Sequence, residues 1–471
     1  MNETLLRALP SVESLLEDPA GRSLVERFGR EPFLKECRAA LDSVRAEILG
    51  AGAASAAAPT PVDLAPERLL GRIQARLEAA YGTSLGRAIN ATGILMHSGL
   101  GRAVLPEAAR LALDEAARGY CTLALDPETG RRGQRDARVG RLLAGLTGAE
   151  AATLVNNNAA ATVVVLHALA AGREVIVSRG QLIEIGGSFR MPDVMSMSGA
   201  SMREVGTTNK THLRDYESAI GERTGAILRV HHSNYRIVGF TAEPEIEELV
   251  ELGRRRDVPV IDDVGSGALV DLRAYGLESE PMVVRSVAAG ADVVCFSGDK
   301  LIGGPQSGLI VGKADPLARI KKDPLVRAFR CGKLTIAALE ATLKLFLNPD
   351  TLAEMHPLYR MLSLPLDGLR RRAKKAVASL GKDLPAGVTL DVVESGSQLG
   401  SGSVPVETVP TICVAVAPAS PGPDALARAL RLGTPPVYAR IHKDAVLFDF
   451  RTIQPGEDAA VAEAIRKALR P

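Results

Sequence analysis

From about Leu85 onward the chain alternates short apolar runs with longer stretches of helical periodicity, and this alternation restricts its fold more than any other feature. The runs AATLV, EVIVS, GAILRV, VPVIDD and ADVVCF each have the length of a strand. Between them lie patterns such as EIEELVELGRRRD, whose apolar positions recur every three or four residues. Strands separated by helices cannot pair through tight turns, so the pattern predicts a mostly parallel sheet with crossover helices, an α/β architecture.

Three further segments frame this sheet. Ahead of it, Leu34, Cys37, Leu41, Val44 and Ile48 recur at helical spacing and predict a small helical domain over residues 1–50. The stretch AGAASAAAPTPVDLAP has no apolar periodicity and reads as a linker, 51–66, with the large domain following over 67–348. After Asn348-Pro349 come a helix with the basic run RRRAKK, β-type runs such as TICVAVAP and AVLFDF, and a closing helix, AAVAEAIRKALR. These predict a smaller α+β domain over 349–471. With 471 residues the chain is too long for one small core, which agrees with several packed units.

Composition excludes some classes of function. The 57 basic and 55 acidic side chains nearly cancel, so net charge argues neither for nor against nucleic acid. The five cysteines include no CxxC pair, which speaks against a disulfide framework or a zinc site and fits a reducing, cytoplasmic setting. The N-terminus carries acids where a signal peptide needs cations, and no apolar run approaches the roughly 18 residues that span a bilayer. Neither secretion nor membrane insertion is expected.

A parallel sheet holds its chemistry in loops at the carboxyl ends of its strands. The stretch SGDKLIGGPQS places Lys300 in such a loop, just past the run that ends at Phe296. A lysine there can form a Schiff base, but a lone loop lysine is usually only a solvated cation, and companions are needed. In VPVIDDVGSGA, Asp262 and Asp263 close a β-rich run, where a buried acid needs a facing cation. The protonated ring nitrogen of pyridoxal phosphate is such a cation, and pairing it with Asp263 makes the ring an electron sink. Helix capping and Mg²⁺ ligation remain alternatives for this acid pair.

In LVNNNAAATVVVLHAL three asparagines open an alanine-rich helix, whose N-terminal amides at Asn158, Ala159 and Ala160, with Ser297, would hold the cofactor phosphate. Simple capping by asparagine is the alternative. In HHSNYRIVGF, Asn234 is a candidate donor to the pyridoxal phenolate oxygen. His231 and His232 are neighbours on one strand, so at most one of them faces a site. No phosphate loop of the G-x-x-x-x-G-K type and no dinucleotide-binding glycine pattern competes with this reading.

Taken together, RALPSVESLLEDP, INATGILMHSGLGRAVL, DPETGRRGQRDAR, TLVNNNAAA, EVGTTNKT, HHSNYRIVGF, DDVGSGALVDL, FSGDKLIGGPQSGLIVGK and GKLTIAALEATL resemble, in order and nearly end to end, the bacterial selenocysteine synthases. These are L-seryl-tRNA(Sec) selenium transferases of fold type I, the aspartate-aminotransferase-like pyridoxal phosphate enzymes.

The resemblance implies that Lys300 binds the cofactor covalently, that Asp299 assists catalysis, that Asp263 pairs with the pyridine nitrogen, and that Thr207 and Thr208 lie at the active site. It implies that Arg102, Arg327 and Arg330 hold the anionic donor, selenophosphate, which suits several permanently charged planar side chains. It further implies conversion of L-seryl-tRNA(Sec) to L-selenocysteinyl-tRNA(Sec) by β-elimination of water and addition of selenium to a cofactor-bound aminoacrylyl-tRNA. The N-terminal domain would be a tRNA-binding arm and the assembly a ring of dimers, a homodecamer. Two alternatives stay open: a lyase or β-replacement enzyme acting on a free small amino acid, and a tRNA-binding protein without catalysis. The donor itself, selenium or sulfur, also stays open.

Overall fold

A computed structural model describes residues 2–50, 63–83, 85–187, 189–277, 280–381, 384–401, 403, 407–420 and 422–470. They form two compact units, Met1–Arg87 and Ala88–Pro471.

The first unit is helical: Asn2–Arg7, Val12–Glu17, Pro19–Phe28, Arg30–Gly50 and Pro66–Tyr81. Its short helices start at side-chain caps, Ser11 on the Ser14 amide and Asp18 on the Ala20 amide, with Pro19 at the first helical position. The five apolar residues that predicted this unit, Leu34 to Ile48, are all buried. The helix Pro66–Tyr81 adds Leu69, Leu70, Ile73 and Leu77 to the same core. The unit therefore reaches Arg87 instead of ending at residue 50, because a helix with one apolar stripe packs where that stripe is covered. Of the expected linker, 51–62 lies outside the described residues, and residue 66 already begins this helix.

The second unit is built on a seven-stranded sheet in the order Ala151–Val155, Gly308–Gly312, Val293–Ser297, Val260–Gly265, Thr224–Val230, Glu174–Ser178, Ser201–Val205. All its pairings are parallel except the two made by Gly308–Gly312, which runs antiparallel to both neighbours. Helices cover both faces, and successive residues alternate between two apolar layers. Val260, Val264, Val294 and Phe296 enter one; Ile261, Val293 and Cys295 enter the other, with the helix Asn158–Ala170. That helix contains VVV, a run suited to strands. It is helical because Asn157 caps it and because its valines are buried in the sheet layer.

A second sheet has the order Ile89–Ala91, Val437–His442, Ala445–Asp449, Val409–Pro418, Val388–Ser397, and its core includes the helices Leu366–Leu380, Pro423–Arg431 and Asp458–Leu469. The runs TICVAVAP and AVLFDF are strands here and AAVAEAIRKALR is the closing helix, as expected. The boundary at 348/349 is too early, however. Leu352, Leu358, Tyr359, Met361 and Leu362 belong to the large-sheet core, and the small-sheet core begins with Leu364 and Leu366. In the run RRRAKK, Arg372 donates to Asp458, Phe450 O and Ile453 O, so one of the five cations is used in packing. No described helix is long and apolar enough to cross a membrane.

Candidate active site

The carboxyl ends of the strands Thr224–Val230, Val260–Gly265 and Val293–Ser297 open on a cavity of about 370 Å³. Its wall includes Arg102, Asn158, Asp263, Ser297, Asp299 and Lys300, residues drawn from four separate segments of the chain.

Lys300 is only 5 % exposed. Burial pushes its ammonium below the ordinary lysine range, as does the nearby charge of Arg102, while Asp263, Glu280 and Asp299 oppose that shift. A lysine so placed becomes a nucleophile or base at lower pH than a surface lysine.

Asp263 is buried under the start of the helix Asn158–Ala170. Asn158 Nδ2 donates to one carboxylate oxygen at 2.8 Å and Thr162 Oγ1 to the other at 2.8 Å, while the Gly265 amide donates at 3.1 Å. Burial pushes this carboxyl up, and the bonds from Asn158 and Thr162 pull it partly back. Its neighbour Asp262 points to the opposite face of the sheet, where Arg229 and Ser286 occupy it. The acid pair is thus divided, which removes the joint Mg²⁺ site from consideration.

Pyridoxal phosphate fits these residues. The side-chain oxygen of Asn158 is buried without a partner, beside an acid that burial leaves short of cationic compensation. Asn158 and Ala159 line the cavity at a helix N-terminus, where the first amides have no intrahelical acceptor and favour a phosphate. Gly308 makes room for this start: a Cβ there would run into the Asn157 carbonyl.

Other expected residues stand elsewhere. The Ala160 amide is taken by Asn157 Oδ1 at 2.8 Å, so the cradle consists of Asn158 and Ala159 without it. Asn234 is exposed and donates to Glu184 O at 2.7 Å, so it is not on the cavity wall. Thr208 lines a neighbouring cavity of about 260 Å³, and the Thr207 hydroxyl is engaged with Lys210 O at 2.9 Å. The two cavities share His231; His232 lines only the second. Burial, Arg229, His232 and Lys300 push His231 down to about 3, so it is neutral at physiological pH. Arg327 and Arg330 line a third cavity with Arg132, Arg135, Lys321 and Lys322.

Sequence reasoning missed Thr162, Gln306 and Ser401. Thr162 was within reach, since it lies one helical turn after Asn158 and so shares its face. Gln306 and Ser401 come from loops and carry no periodic signal.

A parallel-dominated sheet with one antiparallel strand, a lysine just past a strand end and an acid at the next strand end are the marks of a fold type I pyridoxal phosphate enzyme. A solved D-glucosaminate-6-phosphate ammonia-lyase shares this fold, with a TM-score of 0.59 and 23% identity over 82% of this chain and 96% of its own. The family model described as L-seryl-tRNA selenium transferase matches residues 88–454, and the one described as selenocysteine synthase N terminal matches residues 6–45. The L-seryl-tRNA(Sec) selenium transferase of Moorella thermoacetica is 48% identical over 99% of this chain and 98% of its own length. That of Nitratidesulfovibrio vulgaris is 47% identical over 99% of both chains. The chain belongs to the L-seryl-tRNA selenium transferase family, whose cofactor is pyridoxal phosphate.

Proposed function

We propose that this protein converts L-seryl-tRNA(Sec) to L-selenocysteinyl-tRNA(Sec) in the cytoplasm, with selenophosphate as donor. The observation that carries the reading is the end-to-end likeness to transferases so named, at 48% identity over 99% of the chain.

Bound in the lysine cavity, pyridoxal phosphate supplies an electron sink for the seryl α-carbon. The chain's own residues do the rest. Asp263, fixed by Asn158 and Thr162, holds a proton on the pyridine nitrogen. The amides of Asn158 and Ala159 bind the phosphate group, with Ser297 beside them. Lys300 Nζ takes the proton from Cα and returns it. Asp299, the residue before Lys300, orients Arg102 toward an anion. Loss of the seryl β-hydroxyl as water then leaves an acceptor to which the selenium of selenophosphate adds; water cleaves the selenium–phosphorus bond, phosphate leaves, and the ester to tRNA stays intact.

Arg327 and Arg330 belong to a cluster whose cations repel one another: Arg135, Arg327 and Arg132 hold Arg330 below the ordinary arginine range. Such a cluster favours an anion. We assign it to the donor, brought to the lysine cavity by a second copy of the chain within a ring of dimers. Thr207 and Thr208 lie beside the neighbouring cavity and are assigned to the same assembled site. The N-terminal unit is assigned as the tRNA-binding arm. With 7 basic and 9 acidic side chains in residues 1–50, it must recognise shape more than charge.

The test is to incubate the protein with seryl-tRNA(Sec) and selenophosphate, with free serine and thiophosphate as parallel arms, and to measure selenium esterified to tRNA. Incorporation on tRNA alone is expected. Turnover of free serine alone would place the protein among lyases, and preference for thiophosphate would reassign the donor. Lys300→Ala should remove the visible absorbance of lysine-bound cofactor while the protein stays folded.

A further inference from the structure

The loop that carries Lys300 is closed on itself and then pinned from behind. Gly303 N donates to Lys300 O at 2.8 Å, Gly304 N to Gly298 O at 2.8 Å, and Leu301 N to Ser266 O at 3.1 Å. Closing the turn this way directs the carbonyls of Leu301 and Ile302 into the core, where water cannot reach them. Both are satisfied by side chains at the start of the helix Pro357–Ser363. Tyr359 Oη donates to Leu301 O at 2.9 Å, and His356 Nε2 lies 3.0 Å from Ile302 O.

His356 and Tyr359 have no measurable exposure. The tautomer of His356 follows from its partners. Its Nδ1 accepts the Leu358 amide at 3.3 Å, capping the helix, so the proton sits on Nε2 and is donated to Ile302 O. Burial also pushes its imidazolium down to about 4, which keeps this neutral form at working pH. Gly303 adopts φ +63°, and a Cβ there would run into the His356 ring, so turn and ring fit each other closely. Phe346 and Tyr275 stand 5.7 and 5.5 Å from the Tyr359 ring and hold it in place.

The same helix is held from its other end by the small domain. Arg451, buried, donates to Met361 O at 2.6 Å, and Arg360 donates to Gln454 at 3.0 Å. A continuous set of contacts thus runs from the small sheet, through this helix, to the two peptide groups that follow Lys300.

We propose that His356 and Tyr359 are positioning residues for Lys300: by holding the carbonyls of Leu301 and Ile302 they fix the direction in which the lysine enters the cavity. Neither touches the cavity wall, so neither is catalytic. The inference rests on Lys300 being the cofactor lysine.

The test compares Tyr359→Phe, His356→Leu and His356→Gln, the last of which restores an N–H donor, in the full-length protein. Three quantities are read: the melting temperature, the rate at which a small acylating reagent labels Lys300 in cofactor-free protein, and the pH midpoint of the visible absorbance of lysine-bound cofactor. The charged and titratable groups that face Lys300, namely Arg102, Asp263, Glu280, Asp299 and His231, are the same in every variant, so a shifted midpoint reports the loop.

Tyr359→Phe and His356→Leu should each change the labelling rate about tenfold, move the midpoint, and lower kcat about tenfold with little effect on KM. His356→Gln should recover most of this. Lower melting temperatures with unchanged labelling and midpoint would overturn the proposal, leaving the two rings a packing role. Failure of both Tyr359→Phe and His356→Leu to fold would overturn it equally. Absence of the absorbance in the unmodified protein would refute the lysine assignment itself, a result distinct from either.

Discussion

Arg102 and Asp299, which lie 197 residues apart in the chain, are joined in an ion pair on the wall of the lysine cavity, with Arg102 Nη1 2.9 and 3.1 Å from the two carboxylate oxygens. Arg102 makes this contact from a left-handed backbone, φ 62°, at the end of a turn closed by its amide on His97 O. A non-glycine residue in that region costs on the order of 1 kcal/mol or more, so the surrounding turn must hold it there. The pair also places a fixed positive charge beside Lys300, the residue after Asp299.

Arg102→Gln is therefore expected to change two observables together. Its charge is one cause of the lowered Lys300 ionisation, so its removal should raise the pH at which Lys300 becomes reactive. Loss of a charge-assisted hydrogen bond worth about 1.5–3 kcal/mol should lower kcat/KM about 10- to 100-fold. The pH profile of Lys300 labelling in cofactor-free protein checks the first; an unmoved midpoint would show that Arg102 acts only on substrate.

Asp263→Asn should separate stability from function. In the folded, cofactor-free protein, burial raises this carboxyl above its unfolded value, so the folded state binds the proton more tightly. Stability from this group is then complete below the ordinary carboxylate pKa and falls as pH rises toward the raised one. At pH 7 the charged form opposes folding, and the isosteric amide removes that opposition. The cofactor-free variant should melt about 2 °C or more above the unmodified protein. With cofactor present the order should reverse, because the cationic ring has lost its partner. A variant that melts lower in both states would refute this.

The elements whose chemistry is periodic were legible in the sequence. Alternation of strands and helices predicted the sheet, and placing Lys300 and Asp263 at strand ends put them on one cavity. What periodicity cannot express was misread. The helix Pro66–Tyr81 follows a stretch rich in alanine, glycine and proline and was assigned to the large domain, although its stripe at Leu69, Ile73 and Leu77 completes the N-terminal core. Asn234 follows its strand as a cofactor ligand would, but the loop that holds it turns the amide toward Glu184 O. Arg327 and Arg330 look like partners of Arg102 in the resemblance, yet one chain alone holds them in a separate cavity.

The domain boundary has a direct consequence for truncation. A chain that begins at residue 61 retains the helix Pro66–Tyr81 without the helices that cover Leu69, Leu70, Ile73 and Leu77. An uncovered stripe of this kind promotes association. A chain that begins at Ala88 removes the whole compact unit. The longer deletion is expected to stay soluble and bind cofactor normally while losing productive tRNA binding; the shorter one should aggregate. Size-exclusion chromatography and cofactor absorbance distinguish them, and retained tRNA affinity in the chain from Ala88 would disprove the arm assignment.

The arginine cluster offers a prediction in which stability and affinity move in opposite directions. Arg330 is exposed, and the charges that perturb it, Arg135, Arg327 and Arg132, are all of its own sign. Such an arrangement is unfavourable in the free protein and becomes favourable only when an anion occupies it. Arg330→Gln should thus leave the free protein as stable as before, or slightly more so, while raising KM for the anionic donor about tenfold with kcat nearly unchanged. Added salt should narrow this difference, since exposed charges farther apart than about 8 Å are largely screened at physiological ionic strength. Equal KM values for the variant and the unmodified protein at low salt would remove the cluster from the donor site. A fall in kcat at constant KM would instead place Arg330 in contact with the reacting atoms.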